Sequence, residues 1–171
     1  MASASSYTVR PATEADAAQI NAIVNHEIGV SVNNFNYGPR SEADGLLWLK
    51  STLAGYPVLV AVTTVDGKEV IGGYASLGSF RQKDGYRFTA EYSLYIHQEH
   101  RRRGLGRTLL RDLLVEAKAR GFHAIIGSIS EGNEASLRLA AEFGFRVVGT
   151  MKENGFKFDR WIDNTFVELL L

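Results

Sequence analysis

Apolar residues recur along this chain with two periods, and the switches between them lay out the elements. After a short extended stretch, Tyr7 to Arg10, the residues Ile20, Ile23, Val24 and Ile28 share one helical face, with Thr13 as N-cap and Glu14 and Asp16 in the first turn. A second helix is expected from Ser41, its cap, to Leu53, with Leu46, Leu47 and Leu53 as its apolar positions. Between them SVNNFNYGPR has no period and reads as an irregular loop carrying Phe35 and Tyr37.

The pattern then becomes strand-like. YPVLVAVTTVDGKEVIGGYASLGSF predicts two strands about an Asp66-Gly67 turn, and YRFTAEYSLYIH, from Tyr86 to His97, predicts a third. A helix follows Gly104, carrying Leu105, Leu109, Leu113 and Leu114 until Gly121 closes it. His123 to Ile129 is a fourth strand of this series, and Asn133 caps a helix that ends near Gly144. The C-terminal FRVVGTMKENGFKFDRW is expected to fold about Asn154-Gly155, and NTFVELLL completes the last strand. The order β-α-α-β-β-β-α-β-α-β-β predicts an α/β fold, a central mixed sheet covered by helices. Its strand-helix-strand unit from Tyr86 to Ile129 should be a parallel, right-handed crossover.

Composition narrows the class. At 171 residues, 45% hydrophobic and 22% charged, the chain suits one domain, residues 7–171, after a loosely ordered tail of residues 1–6. Its 19 basic and 19 acidic residues cancel, so no net field draws in a polyanion and nucleic acid is not an expected partner. There is no cysteine, which removes thiol and thiolate chemistry. MASASSY lacks the form of a secretory signal and no run approaches membrane-spanning length, so a cytoplasmic protein is expected.

Against that neutral background HQEHRRRGLGRTLL concentrates Arg101, Arg102, Arg103 and Arg107 around Gly104 and Gly106, at a strand-to-helix junction. A helix N-terminus offers unpaired N–H groups and partial positive charge, and the glycines would let an oxygen-bearing group approach the backbone. The chemistry suggested is a pyrophosphate cradle. It is not a Walker A sequence, and Leu109 stands where a dinucleotide fingerprint needs its third glycine. His97 and His100 do not make an expected metal site, because three arginines stand beside them, so no metal is expected.

Arg101-x-x-Gly104-x-Gly106 resembles the coenzyme A signature Gln/Arg-x-x-Gly-x-Gly/Ala of the GCN5-related N-acetyltransferase (GNAT) superfamily. VRPATEAD, NHEIGVSVNNF, GYPVLVA, TAEYSLYI, EGNEASLRLAAEFGF and GTMKENGFKFDRWIDNTF, in that order, look like its phosphinothricin / methionine-sulfoximine N-acetyltransferase subgroup, from Val9 to Leu170. The resemblance implies a single GNAT-type domain, a mostly antiparallel mixed sheet of about seven strands with about four helices. It also implies acetyl-CoA in the opening between two splayed parallel strands, and a homodimer. Leu94, Tyr95 and Ile96 would bind the pantetheine arm through main-chain atoms, and Arg102, Arg103, Gly104, Leu105, Gly106 and Arg107 would hold the pyrophosphate. Asn133 and Ser136 match coenzyme-contacting positions of the next helix. Arg101 begins the motif but is expected to serve the loop more than the ligand.

Glu91 is the expected general base. Strand alternation from Arg87 places Arg87, Thr89, Glu91, Ser93 and Tyr95 on one face, and a glutamate in so apolar a strand needs a reason. The resemblance implies that Arg81, Gln82, Lys83, Glu91, Tyr92 and Ser93 lie beside the substrate. Arg81 or Arg87 would receive the carboxylate of an amino-acid-like substrate, Glu91 would face its amine, and Phe35 would close the pocket. An α-amine of pKa about 8 surrenders its proton far more readily than a lysine amine near 10.4. Where the family often carries tyrosine or histidine as an acid for the departing thiolate, this chain has Ala140, so no acid can be assigned. Phe156, Phe158 and Trp161 are expected in core or interface packing. The expected activity is direct acetyl transfer to a small amino-acid-like amine. The alternatives are another amine, such as a peptide terminus or an amino-group toxin, and a non-catalytic coenzyme A sensor.

Overall fold

The computed structural model describes residues 6–171, so the first five residues of the expected tail lie outside the described residues. The elements are β1 (Thr8–Pro11), α1 (Ala17–Val30), α2 (Glu42–Leu53), β2 (Val58–Val65), β3 (Lys68–Ser79), β4 (Thr89–Ile96), α3 (Leu105–Ala119), β5 (Ala124–Ser130), α4 (Glu134–Glu142), β6 (Arg146–Lys157) and β7 (Arg160–Leu170). Their order matches the expectation. The strands form one seven-stranded sheet in the order β1-β2-β3-β4-β5-β7-β6. Every neighbouring pair is antiparallel except β4 and β5, joined by the α3 crossover. Among the described residues no helix is long and apolar enough to cross a membrane.

Strand alternation sends side chains to two buried clusters, one on each face of the sheet. Val58, Val60 and Val62 of β2 join Ile20, Ile23, Val24 and Ile28 of α1. Leu59 and Ala61 join Leu105, Leu109, Leu110 and Leu113 of α3 on the opposite face. Burying each of these large aliphatic side chains contributes about 1.5–3 kcal/mol before entropy opposes it.

Four local expectations need correction. In α2, Leu47 is 66% exposed and the anchor is Leu49, at 0%, which stands three residues after Leu46 and so shares its face. Thr13 is an N-cap as expected, its backbone N–H donating to the Asp16 carboxylate at 2.7 Å, but it caps a short 3-10 turn, Glu14–Asp16, and α1 starts only at Ala17. β4 begins at Thr89, because Asp84–Tyr86 forms another 3-10 turn, so Arg87 is not in the strand and shares no strand face with Glu91. The final hairpin turns at Phe158-Asp159, with φ of 51° and 56°, and Asn154-Gly155 sits in a bulge of β6 where Met151 pairs with Asn164 and Gly155 with Ile162. The Asp66-Gly67 turn is as expected, with both residues left-handed at φ 49° and 75°.

Candidate active site

The site begins where β4 and β5 part. Their parallel pairing covers only Thr89 with Ala124, Ala90 with Ile125 and Glu91 with Ile126, although β4 runs on to Ile96 and β5 to Ser130. Beyond Glu91 the β5-facing backbone of β4 has no strand partner among the described residues. The Tyr92 ring fills the start of the gap against Gly127, where an added Cβ would fall 2.5 Å from its Cε1. Glycine at 127 is therefore a spatial requirement of the split.

A cavity of about 680 Å3 occupies the opening. One side is the N-terminal turn of α3. Gly104 is its N-cap with φ of 81°, a left-handed angle that favours glycine, and Arg102 is also left-handed at 59°. Among the described residues the N–H groups of Leu105, Gly106 and Arg107 have no partner within the chain, the first interior bond running from Thr108 N to Gly104 O at 3.2 Å. These amides and the helix dipole suit an anion. The adjoining wall is α4, where Ala135, Ser136 and Leu139 face the cavity and the Asn133 side chain accepts the Ser136 N–H at 3.2 Å.

The opposite wall is the loop after α1, from which Asn33, Asn34, Phe35 and Asn36 line the cavity. Tyr95 anchors it by accepting from Asn34 Nδ2 at 3.3 Å and donating to Asn33 O at 3.2 Å. Asn133 Nδ2 donates to Asn33 Oδ1 at 3.1 Å, linking the two walls.

Two carboxylates line this space, and their surroundings separate them. Glu27, 4% exposed, is paired with Arg101 and accepts Ser31 Oγ at 2.8 Å. Glu91 has no ionic or hydrogen-bond partner among the described residues, and burial raises its carboxyl above the ordinary range by desolvation. Glu27 is thus occupied, whereas Glu91 is free to exchange a proton.

The family model for the Acetyltransferase (GNAT) domain matches residues 9–166. The chain belongs to the GNAT acetyltransferase family. It is similar to an L-methionine sulfoximine/L-methionine sulfone acetyltransferase of Salmonella typhimurium, 41% identical over 165 residues that cover 96% of this chain and 94% of the relative. A phosphinothricin N-acetyltransferase of Streptomyces viridochromogenes is 36% identical over 158 residues, 92% of this chain and 84% of the relative. A solved structure of an acetyltransferase from Salmonella typhimurium with its cofactor acetyl-CoA matches with a TM-score of 0.90 at 40% identity, covering 96% of this chain and 94% of that one.

In this GNAT fold the cavity gathers Phe35, Glu91, Tyr92, Ser93, Leu94, Tyr95, Ile96, Arg102, Gly104, Leu105, Gly106, Asn133 and Ser136 from the residues singled out by sequence. Arg103 and Arg107 lie outside its lining. Arg103 donates to Tyr7 Oη and Glu99 O, each at 3.0 Å, and Arg107 pairs with Glu142 at 2.7 Å. Arg81, Gln82, Lys83 and Arg87 also lie outside the lining. Arg81 stands over the Phe80 ring at 5.2 Å and Arg87 over Phe88 at 4.4 Å. Arg101 does serve the loops, pairing with Glu27 and donating to Ile96 O at 3.3 Å, and it also lines the cavity.

Sequence reasoning did not single out Glu27, the asparagines of the loop, or Ser128, Ser130 and Asn164 of β5 and β7. The apolar period of α1 could have exposed Glu27, which falls on the same buried face as Ile20, Val24 and Ile28. The others carry no local signal. Ala140 is fully buried and not part of the lining. His97, Glu99 and His100 bring ligand-capable atoms within 4.8 Å of one another, but Tyr7 Oη is 2.6 Å from His100 Nδ1 and accepts from the Arg103 guanidinium. Phe156, Phe158 and Trp161 are 40%, 54% and 59% exposed, which rules out core packing in the monomer.

Proposed function

We propose that this chain acetylates the α-amine of a small amino-acid-like molecule of the methionine sulfoximine, methionine sulfone or phosphinothricin type, using acetyl-CoA. The observation that carries the reading is an uncommitted half-buried carboxylate, Glu91, at the last paired position of two parting strands beside a helix terminus suited to an anion. The curated relatives carry those substrates in their names, and the chain's membership of the GNAT family makes it an acyltransferase.

The residues fit the coenzyme. The free N–H groups of Leu105, Gly106 and Arg107, with Arg102 beside them, suit its pyrophosphate, and the edge of β4 from Leu94 to Ile96, which lacks a partner strand although Ile96 O accepts from Arg101, suits its amide-bearing arm. Bound there, acetyl-CoA supplies an electrophilic thioester carbonyl and a thiolate leaving group. Glu91 takes the first proton from the substrate ammonium, directly or through water, and leaves a neutral amine. The nitrogen sheds a second proton as the amide forms, and that proton balances the departing thiolate, whose pKa of about 8.5 makes a dedicated acid unnecessary. No ionisable side chain stands at position 140.

The lining cations are Arg101, held by Glu27, and Arg102, at the coenzyme end. The substrate carboxylate therefore falls to Arg81 or Arg87, on the segment that leads into β4 next to Glu91, with Gln82 and Lys83 beside them. That segment is exposed and lies outside the cavity lining, so the assignment requires it to move toward the opening when substrate binds. We infer also that the protein works as a cytoplasmic homodimer in detoxification. The unpaired outer edge of β6, with Val147, Val148 and Met151 more than half exposed, provides an apolar surface for a second copy.

A thiol-release assay with acetyl-CoA and a panel of amino acids, sulfoximines and phosphinothricin tests the reading. Turnover confined to small α-amines supports it; tight coenzyme binding with no acceptor overturns it in favour of a sensor. Unchanged kcat/KM in both Arg81→Ala and Arg87→Ala would sink the carboxylate assignment.

A further inference from the structure

The cavity wall formed by Asn33 to Asn36 is not built by its own segment alone, whose internal bonds run from Asn33 N to Ser31 Oγ at 3.2 Å and from Asn36 N to Asn34 Oδ1 at 2.9 Å. We propose that Lys157 is the positioning residue of this wall, its buried ammonium holding the loop that carries Phe35 over the amine side of the site. The Lys157 side chain rises from the end of β6, and the residue is 3% exposed. Its Nζ donates to Ile28 O at 2.7 Å, Ser31 O at 2.9 Å and Asn34 O at 2.5 Å. An ammonium has three donors, and all three are used. Ile28 belongs to the last turn of α1, where carbonyls lack helical partners and the dipole favours a cation, so the geometry is favourable as well as saturated.

The two residues before Lys157 act on the same loop. Phe156 O accepts the Tyr37 hydroxyl at 2.7 Å. Gly155 leaves the room in which Phe35 lies, since an added Cβ would stand 2.5 Å from both Cε1 and Cζ of that ring. Gly155 follows the β6 bulge, which re-aims the end of the strand. The C-terminal hairpin, distant in sequence from both Phe35 and Glu91, therefore sets where the one stands relative to the other. A buried lysine with no carboxylate partner is otherwise a costly choice for a strand end.

The wall itself stands on geometry; only the identity of the ligand it faces rests on the acetyltransferase reading. Lys157→Met keeps the stem and removes the donors. Hydrogen exchange of the amides of residues 31–37 should accelerate on the order of tenfold or more in this variant while α3 exchanges as before. KM for the amine should rise on the order of tenfold, with KM for acetyl-CoA within about twofold of the wild type. Lys157→Arg, which keeps charge and donors, should recover part of the loss. Gly155→Ala leaves Lys157 in place and displaces only the Phe35 ring, so it should raise the amine KM alone; if Lys157→Met does not accumulate as folded protein, exchange at residues 31–37 in Lys157→Arg, expected faster than in the wild type, decides. Unchanged exchange in residues 31–37, or a parallel rise of both KM values, overturns the proposal. A wild-type protein that acetylates no amine overturns the functional reading instead, and the exchange measurement then decides the role of Lys157 by itself.

Discussion

The turn before α3 and the loop after α1 face one cavity from opposite sides and are held in different ways. In the turn, consecutive residues do the work: Gly104 supplies the left-handed angle, Leu105 buries itself at 4% exposure, and the next amides are left open by helix geometry alone. In the loop, polar groups are held from afar: Val32 O by Ser130 Oγ at 2.8 Å, Asn33 by Tyr95 and Asn133, and the carbonyls of Ser31 and Asn34 by Lys157. The difference is one of range. A local device works wherever its residues occur together, whereas a borrowed one exists only once the whole sheet has formed, and it can be retuned from outside the site.

The comparison breaks most visibly at Glu91, where the two regions meet. Glu91→Gln should lower kcat/KM about a hundredfold or more while coenzyme binding, measured by calorimetry, persists. Because burial raises this carboxyl, the wild-type rate should fall as the pH drops through a limb lying above the ordinary glutamate range of about 4.3, and the variant should lack that limb. A comparable loss of coenzyme affinity in Glu91→Gln would contradict the division of roles.

A smaller effect is expected from Gly104→Val, which forces a β-branched side chain to φ of 81°, at a cost of about 1–2 kcal/mol. Coenzyme affinity should weaken on the order of tenfold, with the amine KM unchanged, the mirror image of the Lys157 variant. Equal effects on both substrates would mean that the walls are not separable.

The smallest expected effect lies at Asn133, which belongs to both regions. Asn133→Ala loses the α4 cap, about 1 kcal/mol, and should lower Tm by about 2–4 °C. Asn133→Asp keeps the cap but cannot donate to Asn33, so it should spare Tm and loosen only the loop, seen as faster exchange at residues 31–37. A fall in Tm as large as that of the alanine variant would assign Asn133 to the cap alone.

How much of this was legible follows the same division. The element order, the Asp66-Gly67 turn, the core face of α1 and the cradle at Gly104 are all short-range patterns, and each was readable in consecutive residues. Asn154-Gly155 misled because the same dipeptide serves a hairpin turn or a bulge, and the choice depends on pairing with β7. Arg87 was placed on a strand because alternation continues into the preceding 3-10 turn, where the backbone no longer keeps a period of two. The arginine window mixed roles that spacing cannot separate: Arg102 at the cavity, Arg101 on Glu27, Arg103 on Tyr7 and Glu99, Arg107 on Glu142.

By itself the amino-acid sequence determined the order of strands and helices, the glycine turn that opens α3 and the position of Glu91 in its strand, because backbone propensity, capping and period are properties of neighbours along the chain. The tertiary structure alone decided that β4 and β5 part after Glu91, that Glu27 is occupied and Glu91 free, and that Lys157 carries the far wall. These depend on contacts between residues up to 129 positions apart, whose partners no local pattern names.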